Sequence, residues 1–133
     1  MNSVSVDVRE AYREAVVALV AGDAAAAILL LEPLADETAP FEVQLALGKA
    51  YLAAGRGTDA RGRLQALAGA PDAEQGLAAY LELLLAAAEV LDGAPDAALA
   101  RLEAVPGLDP RMEHAARQLR RRIENARPPV IRF

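Results

Sequence analysis

Between residues 109 and 126 the apolar residues Met112, Ala115, Ala116, Leu119, Ile123 and Ala126 recur at three- and four-residue steps, while Glu113, Arg117, Arg120, Arg121 and Glu124 take the other side. That spacing predicts an amphipathic helix. Upstream, apolar runs punctuated by turn signals predict helices over about 7–21, 23–34, 40–54, 57–69 and 73–92, and a sixth from Pro95 to Val105. Asp23 opens the second as an N-cap or first-turn acid, and Thr58 or Asp59 opens the fourth. Pro71-Asp72 starts the fifth and Asp92-Gly93 closes it. Pro95 falls in the first turn of the sixth, where its missing N–H does no harm. Val105-Pro106-Gly107 ends that helix. Residues 1–6 read as an N-terminal arm, and Arg127 to Phe133, with Pro128 and Pro129, as an extended tail.

The chain also repeats itself. A glycine, an alanine five residues on and a leucine four beyond that occur three times in order, as Gly22–Ala27–Leu31, Gly55–Ala60–Leu64 and Gly93–Ala98–Leu102. The glycines are 33 and 38 residues apart. A period near 34 built of helix–turn–helix units is the signature of a helical solenoid. A second set of small residues, Ala15, Gly48 and Ala86, recurs in the helix before each turn. Small residues at fixed places are what close helix pairing requires. An irregular Ala/Leu bundle is the alternative.

The second copy is the most explicit, with Leu47-Gly48, Tyr51, Gly55, Ala60, Leu64 and Pro71 in order. It resembles the tetratricopeptide repeat. The likeness covers residues 7–106 and departs from the family at Gln44, where a large aromatic would stand, and at Ala18 and Glu89, the counterparts of Tyr51. The resemblance implies an all-α fold: a right-handed solenoid of three helical hairpins (7–34, 40–69 and 73–105) with a capping helix at 109–126.

Composition narrows the chemistry. The 133 residues include 32 Ala and 20 Leu, strong helix formers, and no Cys. Without cysteine there is no disulfide framework or thiolate metal site. His114 is the one histidine, and the hydroxyls are confined to Ser3, Ser5, Thr38, Thr58 and the three tyrosines. No nucleophile–base pair, metal-ligand set or paired carboxylate is discernible, and Gly55, Gly57 and Gly62 fit neither a dinucleotide nor a phosphate loop. The expectation is a protein that is not an enzyme and holds no metal and no cofactor. The longest apolar run, Ala24–Leu31, is too short for a membrane span, and the first residues lack the pattern of a secretory signal, so a cytoplasmic location is expected. The excess of Arg over Lys, 13 to 1, fits a bacterial source of high genomic GC content.

Charge is segregated. Residues 109–133 carry a net +4 and residues 1–108 a net −9. A solvated cap is the plain reading; a contact for nucleic acid or an acidic partner is the functional one. Net acidity and the lack of interleaved aromatics make nucleic acid the weaker of those partners.

In the resembled family, the first helices of successive repeats line a concave, peptide-binding groove. By register this implies Arg9, Tyr12, Val16 and Leu19 from the first repeat, Glu42, Leu45, Lys49 and Leu52 from the second, and Tyr80, Leu83, Ala87 and Val90 from the third. The set is mostly apolar and lacks the basic clamp that holds acidic chaperone C-termini. It implies an apolar or amphipathic segment of another protein as partner. The layout is similar to small bacterial secretion chaperones. Self-assembly through solenoid ends or the tail is the competing expectation, and the tail could equally fill the groove of its own chain.

Overall fold

A computed structural model describes residues 3–36, 38–68, 75–105 and 108–126. Among these residues there are seven α-helices: α1 (Ser3–Val20), α2 (Ala24–Leu31), α3 (Phe41–Ala53), α4 (Gly57–Ala68), α5 (Gln75–Leu91), α6 (Pro95–Ala104) and α7 (Pro110–Ala126). No strand occurs among the described residues. The expected all-α class holds. Residues 127–133, expected to form a tail, lie outside the described residues.

The three glycines of the sequence repeat perform one task three times. Each stands between a long helix and a shorter one with φ of +85°, +76° and +77° at Gly22, Gly55 and Gly93. This left-handed conformation is costly for any residue with a Cβ. The glycine N–H donates 3.1 Å to the carbonyl three residues back (Leu19, Leu52 or Val90), and the next N–H donates 2.8 Å to the carbonyl five back (Ala18, Tyr51 or Glu89). These paired bonds are a Schellman cap, which satisfies carbonyls that a helix end would otherwise strand. The reversal brings each helix back against its predecessor. Ala27, Ala60 and Ala98 are then wholly buried, and Leu31, Leu64 and Leu102 nearly so.

Two boundaries differ from expectation. The first helix begins at Ser3, so part of the presumed arm is helical. Nothing in residues 3–6 breaks a helix, and adding a residue to an existing helix costs little. The second helix ends at Leu31 and continues as a single 3-10 turn, Glu32–Leu34. Pro33 explains this, because it lacks the N–H that an α-helix needs there. Asp23 does cap α2, accepting from the Ala26 N–H at 3.1 Å.

Every helix packs on its neighbours in the chain, and α1, α3, α5 and α7 also touch in succession. The core lies in two parts. The larger part, from α1 to α5, includes Ile28, Leu31, Val43, Leu47, Tyr51, Leu64, Leu67, Leu81 and Leu85. The smaller part joins α5 to α6 and α7 through Leu83, Ala86, Ala98, Leu102, Ala116 and Ile123. Helix α5 therefore buries two faces, with Leu81, Leu85 and Ala88 toward one part and Leu83 and Ala86 toward the other.

Close approach at the α4–α5 corner depends on Gly57, where an added Cβ would meet the Ala88 carbonyl oxygen at 2.7 Å and Leu91 Cβ at 2.8 Å. Thr58 Oγ1 donates to Asp92 Oδ1 at 3.0 Å across the same corner, and Arg61 lies 3.3 Å from Asp92 Oδ2. Gln44 donates to the Ala39 carbonyl at 3.0 Å and so holds the linker before α3. Within that linker Asp36 accepts from both the hydroxyl and the N–H of Thr38. These bonds, the hydroxyl's first, hold the Asp36 carboxyl below its usual pKa.

Candidate functional site: an apolar depression between the first and third helices

Helices α1 and α3 touch, and an open space remains between their outward side chains. The result is an open depression of about 430 Å³, lined by Tyr12, Val16, Leu19 and Val20 from α1 and Glu42, Leu45, Ala46, Lys49 and Ala53 from α3. Tyr12, Leu19 and Leu45 are half-buried, resting on the larger core with their outer surface turned to the depression. Val16 and Val20 form an apolar rim; Val20 is 84% exposed. The two charges on the surface both come from α3. Glu42 lies in its first turn, where the helix dipole favours an acid. Lys49 places its ammonium 5.8 Å from the centroid of the Tyr80 ring on α5, a cation–π contact between successive helices.

Six of the twelve residues that the resemblance implied are thus brought together: Tyr12, Val16, Leu19, Glu42, Leu45 and Lys49. Tyr80 adjoins them through Lys49. The others diverge. Arg9 lines a separate depression with Val8, Leu34, Asp36, Thr38, Ala39 and Pro40. Leu52 is half-buried against the larger core. Leu83 is corrected outright: it is only 8% exposed and belongs to the α5–α6–α7 core, so it cannot serve an open groove. Val90 packs against that same core, and Ala87 is half-buried. The physical reason is α7, whose Ala116 and Ile123 bury into the smaller core and occupy the face of α5 that the third repeat was expected to present. Val20, Ala46 and Ala53 line the depression but went unpredicted. Val20 follows Val16 by one helical turn, a signal that marking a fixed register in each repeat passes over.

Polar groups elsewhere serve packing. Tyr51 donates to Glu32 Oε1 at 2.7 Å, and the Arg56 guanidinium lies 4.7 Å from its ring centroid. Burial, then the hydrogen bond to Glu32, pushes the Tyr51 pKa up to about 12. At the corresponding place in the third hairpin, buried Glu89 accepts from Arg101 Nε, while Arg101 Nη1 donates to Glu82 at 2.6 Å. Burial works to lower the Arg101 pKa, but Glu89 and Glu82 outweigh it and hold the guanidinium above its ordinary value.

His114 is exposed on α7, and the described hydroxyls of Thr38 and Thr58 are engaged with Asp36 and Asp92. Among the described residues no His, Cys, Asp and Glu group is arranged to hold a metal ion, and no helix is long and apolar enough to cross a membrane. Comparison with protein-family models, with curated proteins and with solved structures finds no match for the chain.

Proposed function

We propose that the chain is a non-catalytic protein-interaction module of tetratricopeptide type, a right-handed array of three helical hairpins and a cap. It binds an apolar peptide or amphipathic helix of another protein in the α1–α3 depression. The observation that carries this reading is the depression itself, mainly apolar with Glu42 and Lys49 at its edge and left open by every described element. A mainly apolar depression edged by two charges is the kind of surface that an apolar or amphipathic segment fits. The three identical Schellman turns and the successive contacts of α1, α3, α5 and α7 support the array. An adaptor or small chaperone acting in the cytoplasm is the role this fits.

The test is Leu45→Glu in the full chain. Helicity and the melting transition should be retained, because Leu45 is only half-buried, while a partner captured by the wild type and identified by mass spectrometry should be lost. Capture that survives the substitution would place binding elsewhere.

A second reading, self-assembly, is favoured by the exposure of Val17 and Leu29, at 64% and 75%, beside Val20 on the first hairpin. It requires a concentration-dependent dimer in sedimentation velocity that Val17→Lys with Val20→Lys abolishes.

A further inference from the structure

Apart from exposed Arg9 and Arg13 on α1, the described arginines fall into two groups. Those on α4 and α6 and in the turn before α4 are engaged with the protein. Arg56 reaches Asp59 and Glu32, Arg61 reaches Asp92, Arg63 donates to the Ala35 carbonyl, and Arg101 bridges Glu82 and Glu89. On α7 the situation reverses. Arg111, Arg117, Arg121 and Arg122 are all exposed. Arg117 makes a loose 3.9 Å pair with equally exposed Glu113; the other three have no carboxylate partner among the described residues. From Arg111 to Arg122 they span about 16 Å of helix at 1.5 Å per residue. Helix α7 is docked by Ala116 and Ile123, so this face is held outward on a fixed support.

We propose that the outer face of α7 is a second docking surface, independent of the α1–α3 depression, for a short acidic segment of a partner protein. Guanidinium groups suit carboxylates, because their paired N–H donors match the two oxygens. Charge distribution selects among anions. The rest of the chain is strongly acidic, with a net −9 over residues 1–108. A long polyanion such as duplex nucleic acid, or an anionic membrane, covers more surface than this arginine face and would be drawn against a chain that is otherwise net negative. The field falls off within about 8–10 Å at physiological ionic strength, so a short segment confined to α7 gains the attraction without the repulsion.

The experiment uses the full chain and a dye-labelled synthetic peptide of about a dozen residues, half of them Glu, read by fluorescence anisotropy against a Gln-for-Glu control. The Glu peptide should bind and the control should not. Affinity should fall about tenfold with Arg121→Glu, as expected for one lost charge-assisted contact replaced by a repulsion. Arg13→Glu, at an exposed position of α1, makes the same change in net charge and should alter affinity by less than about twofold. Circular dichroism should show both variants folded, and Arg121→Gln should give an intermediate loss. Equal losses from Arg121→Glu and Arg13→Glu would overturn the proposal, since net charge alone would then explain binding. So would tighter binding to a DNA duplex or to phosphatidylserine vesicles than to the peptide. Self-association of the unliganded chain that Arg121→Glu abolishes would overturn it as well, by making the acidic surface of a second copy the occupant.

Discussion

The two ends of the helix row solve the same problem differently. At the C-terminal end, α7 lays Ala116 and Ile123 on the smaller core and turns its arginines outward. At the N-terminal end no described element covers Val17, Val20 and Leu29 of α1 and α2, which stand exposed. An amphipathic helix laid on an exposed apolar face buries that face and turns its own polar side to water. The uncovered end shows how the chain looks without one. It is also the end where the open depression lies. Helix α7 closes the face of α5 that carries Leu83, whereas no described element closes the depression between α1 and α3.

The comparison can be broken most directly by removing residues 109–133. That deletion uncovers Leu83, Ala98 and Leu102. Burying a side chain of this size contributes about 1.5–3 kcal/mol, so the truncated chain should lose cooperative folding and aggregate in light scattering. A soluble chain with an unchanged melting transition would mean α7 is an appendage.

Single substitutions at the two ends should then differ sharply. Ile123→Ala should cost about 2–4 kcal/mol in urea denaturation, the range for truncating a buried aliphatic residue, whereas Val20→Ala should lie within about 0.5 kcal/mol of wild type. Equal costs would show that α1 is covered in solution.

Arg101→Met comes next. It strands the buried Glu89 carboxylate and should cost about 2 kcal/mol, less than a fully buried pair because Arg101 keeps part of its side chain in water. Combining it with Glu89→Gln should recover part of the loss. Additive losses in the double variant would show that the pair is not coupled.

The smallest effect concerns the residue at the same repeat position nearer the other end. The Tyr51 pKa is raised from 10.0 to about 12 in the folded chain, so the folded state holds this proton more tightly than the unfolded state. Its contribution to stability is therefore complete below pH 10 and is lost as pH rises toward 12. Tyr51→Phe should remove that alkaline component from stability measured against pH. An unchanged alkaline slope would mean the phenol ionises as freely as in the unfolded chain.

Much of the fold was legible because it is encoded locally. Gly22, Gly55 and Gly93 announce turns that only a residue without a Cβ enters cheaply, and Ala27, Ala60 and Ala98 announce contacts that only a small side chain allows. The amphipathic pattern of α7 likewise specified both the helix and the face it buries. The expected helix over 23–34 runs through Pro33, yet α2 stops at Leu31 because proline lacks the N–H that a further α-turn needs.

What tertiary structure alone decided is which apolar residues remain open. Leu45 and Leu83 occupy the same register in successive repeats, yet one lines a depression and the other lies in a core. Neither residue carries that distinction. Leu83 is buried because α7, which follows it by more than two dozen residues, returns against α5, and Leu45 stays accessible because α1 reaches α3 with side chains that stop short of closing the gap. Periodicity states that a side chain is apolar and which helix face it shares. Whether another helix covers that face depends on contacts between elements distant in the chain.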